Sequence, residues 1–215
     1  MDSRDVVIRV NNHKCGTGPG FRTDIHYSFY GASIKKTAEE LKAEGVKACW
    51  SRLPDCEFMQ SEWHRRRGKQ MGVDYRPHYE RRKDWWFCPT YCCTVQELQD
   101  KFDLLGGHMP TTGFSALLDV LSCKPRNVYV TGMDFFQTGI HNVNERWKPG
   151  HPGDPIGHRP DLEREWFIHN VERLPITMDA LLAQAVSGKV ALRVPSMTPR
   201  NTLRIRRRIL RAVQV

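Results

Sequence analysis

The most constraining stretch of this 215-residue chain runs from His108 to Glu163. Pro110-Thr111-Thr112-Gly113 forms a turn, and Phe114, Leu117, Leu118 and Leu121 follow at the i, i+3, i+4, i+7 spacing of a helix with one buried face. The apolar run from Asn127 to Thr131 then reads as a strand ending at Gly132. A helix leading into a short buried strand belongs to a layered α/β protein. The helix N-terminus at Thr111, Thr112 and Gly113 presents free N–H groups and a positive dipole end, which suits an anion.

The same rhythm recurs upstream. Residues 5–10, DVVIRV, read as a buried strand, and Asn11 and Asn12 fall at its carboxyl end, where parallel sheets bind ligands. Residues 24–29 read as a second strand. Ser33 is expected to cap a helix over residues 34–44 that Gly45 ends, and residues 46–50 read as a third strand. This βαβ order predicts a mostly parallel sheet with helices on its faces, and one domain over residues 1–215. Thr94 to Glu97 is a capping box opening another helix, which ends at Gly106-Gly107. The Gly-x-Gly-x-Gly of residues 16–20 has no helix directly after it and reads more simply as a loop.

Residues 51–93 are basic and aromatic without clean periodicity. Arg65, Arg66, Trp85 and Trp86 stand out as candidates for an acceptor-binding lid, since cations interleaved with aromatics suit stacking beside phosphates. The same composition suits an insertion whose tryptophans pack on the body. The net charge of +9, from 33 Lys+Arg against 24 Asp+Glu, favours anionic partners, although it also describes a plain basic surface. The seven cysteines include Cys88, Cys92 and Cys93, without a zinc-type pair of motifs, and read as buried thiols. No stretch reaches the ~18 apolar residues of a membrane span. The N-terminus lacks a signal peptide's apolar region, so a cytoplasmic location is expected.

Two histidines follow the central strand. His141 lies in a loop rich in Gly, Pro and His. His158 precedes Pro160, which suits the first position of a helix, with Asp161 and Glu163 in its first turn. The positive helix end disfavours a second positive charge, so the His158 imidazole is expected to stay neutral and able to accept a proton. A surface loop histidine is the plainer reading. Toward the carboxyl end, a helix is expected around residues 179–186 and a strand over 189–194. The final RNTLRIRRRILRAV is expected to form a basic amphipathic helix.

Taken in order, these pieces resemble the sialyltransferase superfamily, the transferases that use a CMP-activated sugar. VIRVN (residues 7–11) is similar to the second half of the family's large motif, with Asn11 at its nucleotide-contacting position. Pro110 to Gly113, with the helix, Cys123 and VYVTG, resembles the small motif. His141 falls at the third motif's histidine. His158-Arg-Pro-Asp-Leu-Glu163 resembles the His-x4-Glu motif, 17 residues on from His141. TGMDFFQTG, carrying Gly132 and Asp134, is similar to a strand end of bacterial members. The family's large motif opens with an earlier strand that has no counterpart here. Asn142-Val143 replaces an aromatic pair in the third motif.

The resemblance implies a Rossmann-like sialyltransferase fold and an inverting, metal-independent transfer with no cofactor beyond the CMP-sugar. Asn11, Thr111, Thr112, Gly113, Gly132 and Asp134 would hold the donor, His141 would assist the leaving phosphate, and His158 would be the base. No Asp-x-Asp occurs in the chain, which agrees with metal independence. The acceptor would be a glycan or a hydroxymethylated or hydroxylated cytosine in DNA, as in virus-encoded DNA modification, which would place the protein in a host cytoplasm. A non-catalytic module of the same fold that reads nucleotide or nucleic acid is the competing expectation.

Overall fold

The computed structural model describes residues 6–13, 22–31, 34–54, 57–58, 73–74, 76–137 and 158–187. The chain divides into two compact units, residues 1–116 with 140–159 and residues 117–139 with 160–215. The first is built on a parallel sheet. β1 (Ile8–Val10) and β2 (Ile25–Ser28) pair with Ile8 opposite Ile25. After β2 the chain forms α1 (Ala38–Ala43) and returns as β3 (Ala48–Ser51), parallel to β2.

The helix expected from Ser33 starts later. Thr37 caps it, its hydroxyl accepting from Glu40 N–H while the Glu40 carboxylate accepts from Thr37 N–H. That reciprocal box fixes the start at Ala38, and Ile34 packs into the core ahead of it. Gly45, at φ 78°, ends the helix as expected.

Beyond β3, two short strands, β4 (Glu57–Phe58) and β5 (Val73–Asp74), pair antiparallel. α2 (Arg76–Glu80) and a 3-10 helix (Lys83–Phe87) lead into β6 (Thr90–Cys92), which pairs parallel with β3. The sheet order is therefore β1-β2-β3-β6, all parallel. One face buries Tyr30, Ile34, Ala38, Leu41, Val46, Cys49, Tyr79 and Trp85 together. A second cluster, Leu53, Cys93, Leu98, Phe102 and Met109, holds α3 (Val95–Leu104). The expected Thr94–Glu97 capping box opens α3, and Gly106 and Gly107 follow its end at positive φ.

α4 (Thr112–Ser122) starts in the first unit and ends in the second. Phe114 and Leu117 are buried, whereas Leu118 and Leu121 are half-buried. In the second unit β7 (Val128–Val130) pairs parallel with β8 (Ile176–Met178). α5 (Pro160–Asn170) begins at Pro160 as expected, and α6 (Ala180–Ser187) closes the described chain. Phe167 and Leu182 are fully buried there, with the Phe135 and Phe167 rings 5.7 Å apart. The strand expected over 189–194 and the basic terminal helix lie outside the described residues. Among the described residues no helix is long and apolar enough to cross a membrane. The fold is α/β, with parallel strands and helices.

Candidate functional site

Parallel pairing brings the carboxyl ends of β1, β2, β3 and β6 to one edge of the sheet. Asn11 leaves β1 there with φ 53°, its N–H donating to Tyr27 O at 2.9 Å. Asparagine adopts this left-handed conformation more readily than other non-glycine residues. Its Oδ1 is buried and has no hydrogen-bond partner among the described residues. Asn12 holds the next step of chain, its Oδ1 accepting from Lys35 N–H at 2.6 Å.

Arg52 follows β3 at the same edge. Its N–H donates to Ser28 O at 3.2 Å, and its carbonyl accepts from the Cys93 thiol at 2.8 Å. The side chain is 4% exposed, with the guanidinium 5.4 Å from the Phe29 ring centroid. Nη1 donates to Pro110 O at 2.5 Å. A permanent cation thus ties the carboxyl edge of the sheet to the turn ahead of α4. No motif in the sequence marks this residue. Its signal was position, a charge directly after the strand ACWS.

His158 holds the adjacent carbonyl. Its Nδ1 lies 2.7 Å from Met109 O, and the residue is 4% exposed. A carbonyl only accepts, so Nδ1 carries the proton, and in the neutral ring Nε2 is the acceptor nitrogen. Thr111 caps α4: its hydroxyl accepts from Phe114 N–H at 3.3 Å and its carbonyl from Ser115 N–H at 2.9 Å. The N–H groups of Thr112 and Gly113 have no acceptor within their own helix. Ser115, one turn in, is fully buried with its hydroxyl unbonded among the described residues. Thr111 and Thr112 are themselves buried and Gly113 half-buried, so the turn is enclosed rather than open. An imidazole, a guanidinium and a helix start therefore meet at residues 109–113.

Gly132 and Asp134 lie in the second unit. Gly132, at φ 72°, donates its N–H to Asp179 Oδ2 at 3.0 Å. Asp179 also accepts from Thr131 Oγ1 at 2.6 Å and caps α6 through Leu182 N–H at 2.8 Å. Burial works against its charge, but these three bonds outweigh it and hold the carboxyl below its usual range. Asp134 accepts from Phe136 N–H at 2.8 Å. Both residues thus shape local turns. His141, Arg65 and Arg66 lie outside the described residues.

Trp85 is a correction. It is fully buried, its ring meeting His26 at 4.8 Å and Tyr30 at 5.1 Å, with the Arg82 guanidinium 4.8 Å from its centroid. Its faces and edges are taken by the core, so it cannot stack on an acceptor. Trp86, 54% exposed, remains able to do so.

A second polar cluster sits beside α1. Glu44 accepts from His13 Nε2 at 2.7 Å, from Thr23 Oγ1 at 3.1 Å and from Lys36 Nζ. Burial opposes the Glu44 charge, yet the Lys36 and His13 bonds outweigh it and hold the carboxyl at about 2. The His13 and His26 rings are 5.4 Å apart. Burial, then the neighbouring His13, pushes the His26 imidazole down to about 3.

No family model, no curated protein and no solved structure matches this chain.

Proposed function

We propose that the protein is an inverting, metal-independent glycosyltransferase that moves a sugar from a CMP-activated donor to an acceptor hydroxyl, on a Rossmann-like fold of the sialyltransferase type. The observation that carries this reading is the His158–Met109 bond. It brings together two motif pieces 49 residues apart in sequence, the imidazole and the Pro-Thr-Thr-Gly turn, in the tautomer a base needs. Arg52 anchors that turn to the sheet edge that also carries Asn11.

The acceptor oxygen attacks the anomeric carbon, and the bond from that carbon to the donor phosphate breaks. CMP leaves with the electron pair, and the acceptor proton passes to His158 Nε2. The N–H groups of Thr112 and Gly113 and the Arg52 guanidinium face the charge that grows on the phosphate. Asn11 Oδ1, buried and unbonded among the described residues, takes a donor from the cytidine. His141 assists the leaving phosphate. The acceptor is a glycan or a hydroxylated cytosine in DNA, with the basic, aromatic stretch around Trp86 as its platform.

The experiment is incubation with CMP-sialic acid, CMP-Kdo and a CMP-pentose, each with a glycan and with hydroxymethylated duplex DNA, reading free CMP and acceptor mass. Release of CMP coupled to an acceptor mass gain is expected. Absence of both CMP release and CMP binding with every donor overturns the reading. A steep loss of DNA binding with salt selects DNA as the acceptor, and a flat profile selects the glycan.

A further inference from the structure

Cys49 lies within β3, and Cys88 directly follows the 3-10 helix ahead of β6. The backbone fixes their proximity. Cys49 N–H donates to Pro89 O at 3.0 Å, and Cys49 is the strand partner of Thr90. The two sulfurs are 3.7 Å apart, and the Cys88 sulfur also lies 3.8 Å from Trp85 O. Cys49 is fully buried and Cys88 half-buried, so a reagent reaches the pair through Cys88. At 3.7 Å the sulfurs are in contact, and a bond of about 2.05 Å requires them to approach further.

We propose that Cys49 and Cys88 form a reversible disulfide that closes a covalent loop around the basic, aromatic stretch between them. The oxidant is a low-molecular-weight disulfide. The Cys88 thiolate attacks one of its sulfurs and releases one small thiol. The Cys49 thiolate then displaces the second small thiol from Cys88. The protein loses two S–H protons and two electrons and gains one S–S bond, while the reagent's S–S bond becomes two thiols. The closed loop spans 39 residue steps and contains Arg65, Arg66 and Trp86. It therefore ties together both ends of the candidate acceptor platform, whatever that platform binds.

Burial raises both thiols above their ordinary range, Cys49 most strongly. Exchange is accordingly slow near neutrality and quickens by about tenfold per pH unit below the Cys88 titration, because the thiolate is the attacking species. Among the described residues the competing thiol is Cys92, which shares a sheet face with Cys49 and packs against the same core.

The test treats the full chain with oxidised glutathione at alkaline pH, quenches with acid, digests without reduction and maps linked peptides by mass spectrometry. Glutathione on exposed Cys123 reports that the reagent acted. The expected result is a Cys49–Cys88 linked pair that dithiothreitol removes, with a thermal midpoint several degrees higher in the oxidised form. Cys88→Ser abolishes both, and Cys92→Ser keeps both. A Cys88–Cys92 link, or glutathione resting on Cys88 with Cys49 unlinked, overturns the proposal. So does modified Cys123 beside an untouched Cys49–Cys88 pair. Because the wild-type map decides alone, the outcome does not depend on the variants folding.

Discussion

Two buried histidines in the first unit show how differently one side chain is used. His26 sits in the middle of β2, fully buried between the His13 and Trp85 rings. Neither of its nitrogens has a hydrogen-bond partner among the described residues. With its imidazole pushed down to about 3, it stays neutral at ordinary pH and can cycle no proton. His158 is nearly as buried, yet Met109 O fixes its Nδ1 proton and places the ring beside the start of α4. Burial alone therefore does not mark a working histidine. What sets His158 apart is a tautomer fixed by Met109 O next to the start of α4, and the proposed base role rests on that.

The largest expected effect tests whether the His26 side is simply core. Trp85→Ala removes the ring that His26, Tyr30 and Arg82 pack on and costs about 3–5 kcal/mol in denaturant unfolding. Trp86→Ala, at an exposed position, stays within about 0.5 kcal/mol. Similar small losses from both would break the contrast.

On the His158 side, Arg52→Met removes the hydrogen bond to Pro110 O and the cation proposed to face the donor phosphate. Such bonds contribute about 1.5–3 kcal/mol, so CMP affinity measured by calorimetry falls about 10- to 100-fold. An unchanged affinity would remove Arg52 from the site.

The next effect is a pH dependence. The His26 imidazole titrates at about 3 in the fold against 6.5 ordinarily. Between those values the unfolded chain binds a proton that the folded one refuses. Stability is therefore complete above 6.5 and declines as pH falls toward 3, by at most about 1.4 kcal/mol per unit. Glu44, held at about 2 against 4.5, adds a loss of the same sign below 4.5. His26→Leu removes its share of the upper window and leaves a shallower decline there, because burial also lowers the His13 and His78 imidazoles. A variant that loses stability as steeply as wild type between 6.5 and 4.5 would locate the titration elsewhere.

The smallest effect concerns the α4 cap. Thr111→Ala costs about 1 kcal/mol of stability, and Thr111→Ser almost nothing. Equal losses for both would mean that the hydroxyl is not what caps the helix.

Local chemistry was legible in the residues. The Thr94–Glu97 box, the Pro160 start and the Phe114 periodicity each placed a helix, because caps and periods act over a few residues. The α1 start is harder to read, because Ser33 and Thr37 are both capping residues and only Thr37 has a Glu three positions on. β6 and β8 are three-residue strands whose character comes from their neighbours, which no local pattern records. At the site, Thr111 and His158 were readable from their places beside helix starts. The Met109 carbonyl that links them, and the Arg52 bond to Pro110, join residues 49 and 58 apart, and only the folded chain brings them together. Trp85 and Trp86 are adjacent and chemically identical in sequence, so which one faces the core depends on the 3-10 helix that carries them.

In the proposed reaction His158, fixed by Met109, takes the acceptor proton. The most direct test is single-turnover CMP release from a saturating CMP-sugar and acceptor, comparing wild type with His158→Ala while CMP binding is measured in parallel. The expected rate for His158→Ala is lower by about 10²- to 10⁴-fold with CMP binding retained. Release at the wild-type rate by His158→Ala would contradict that role.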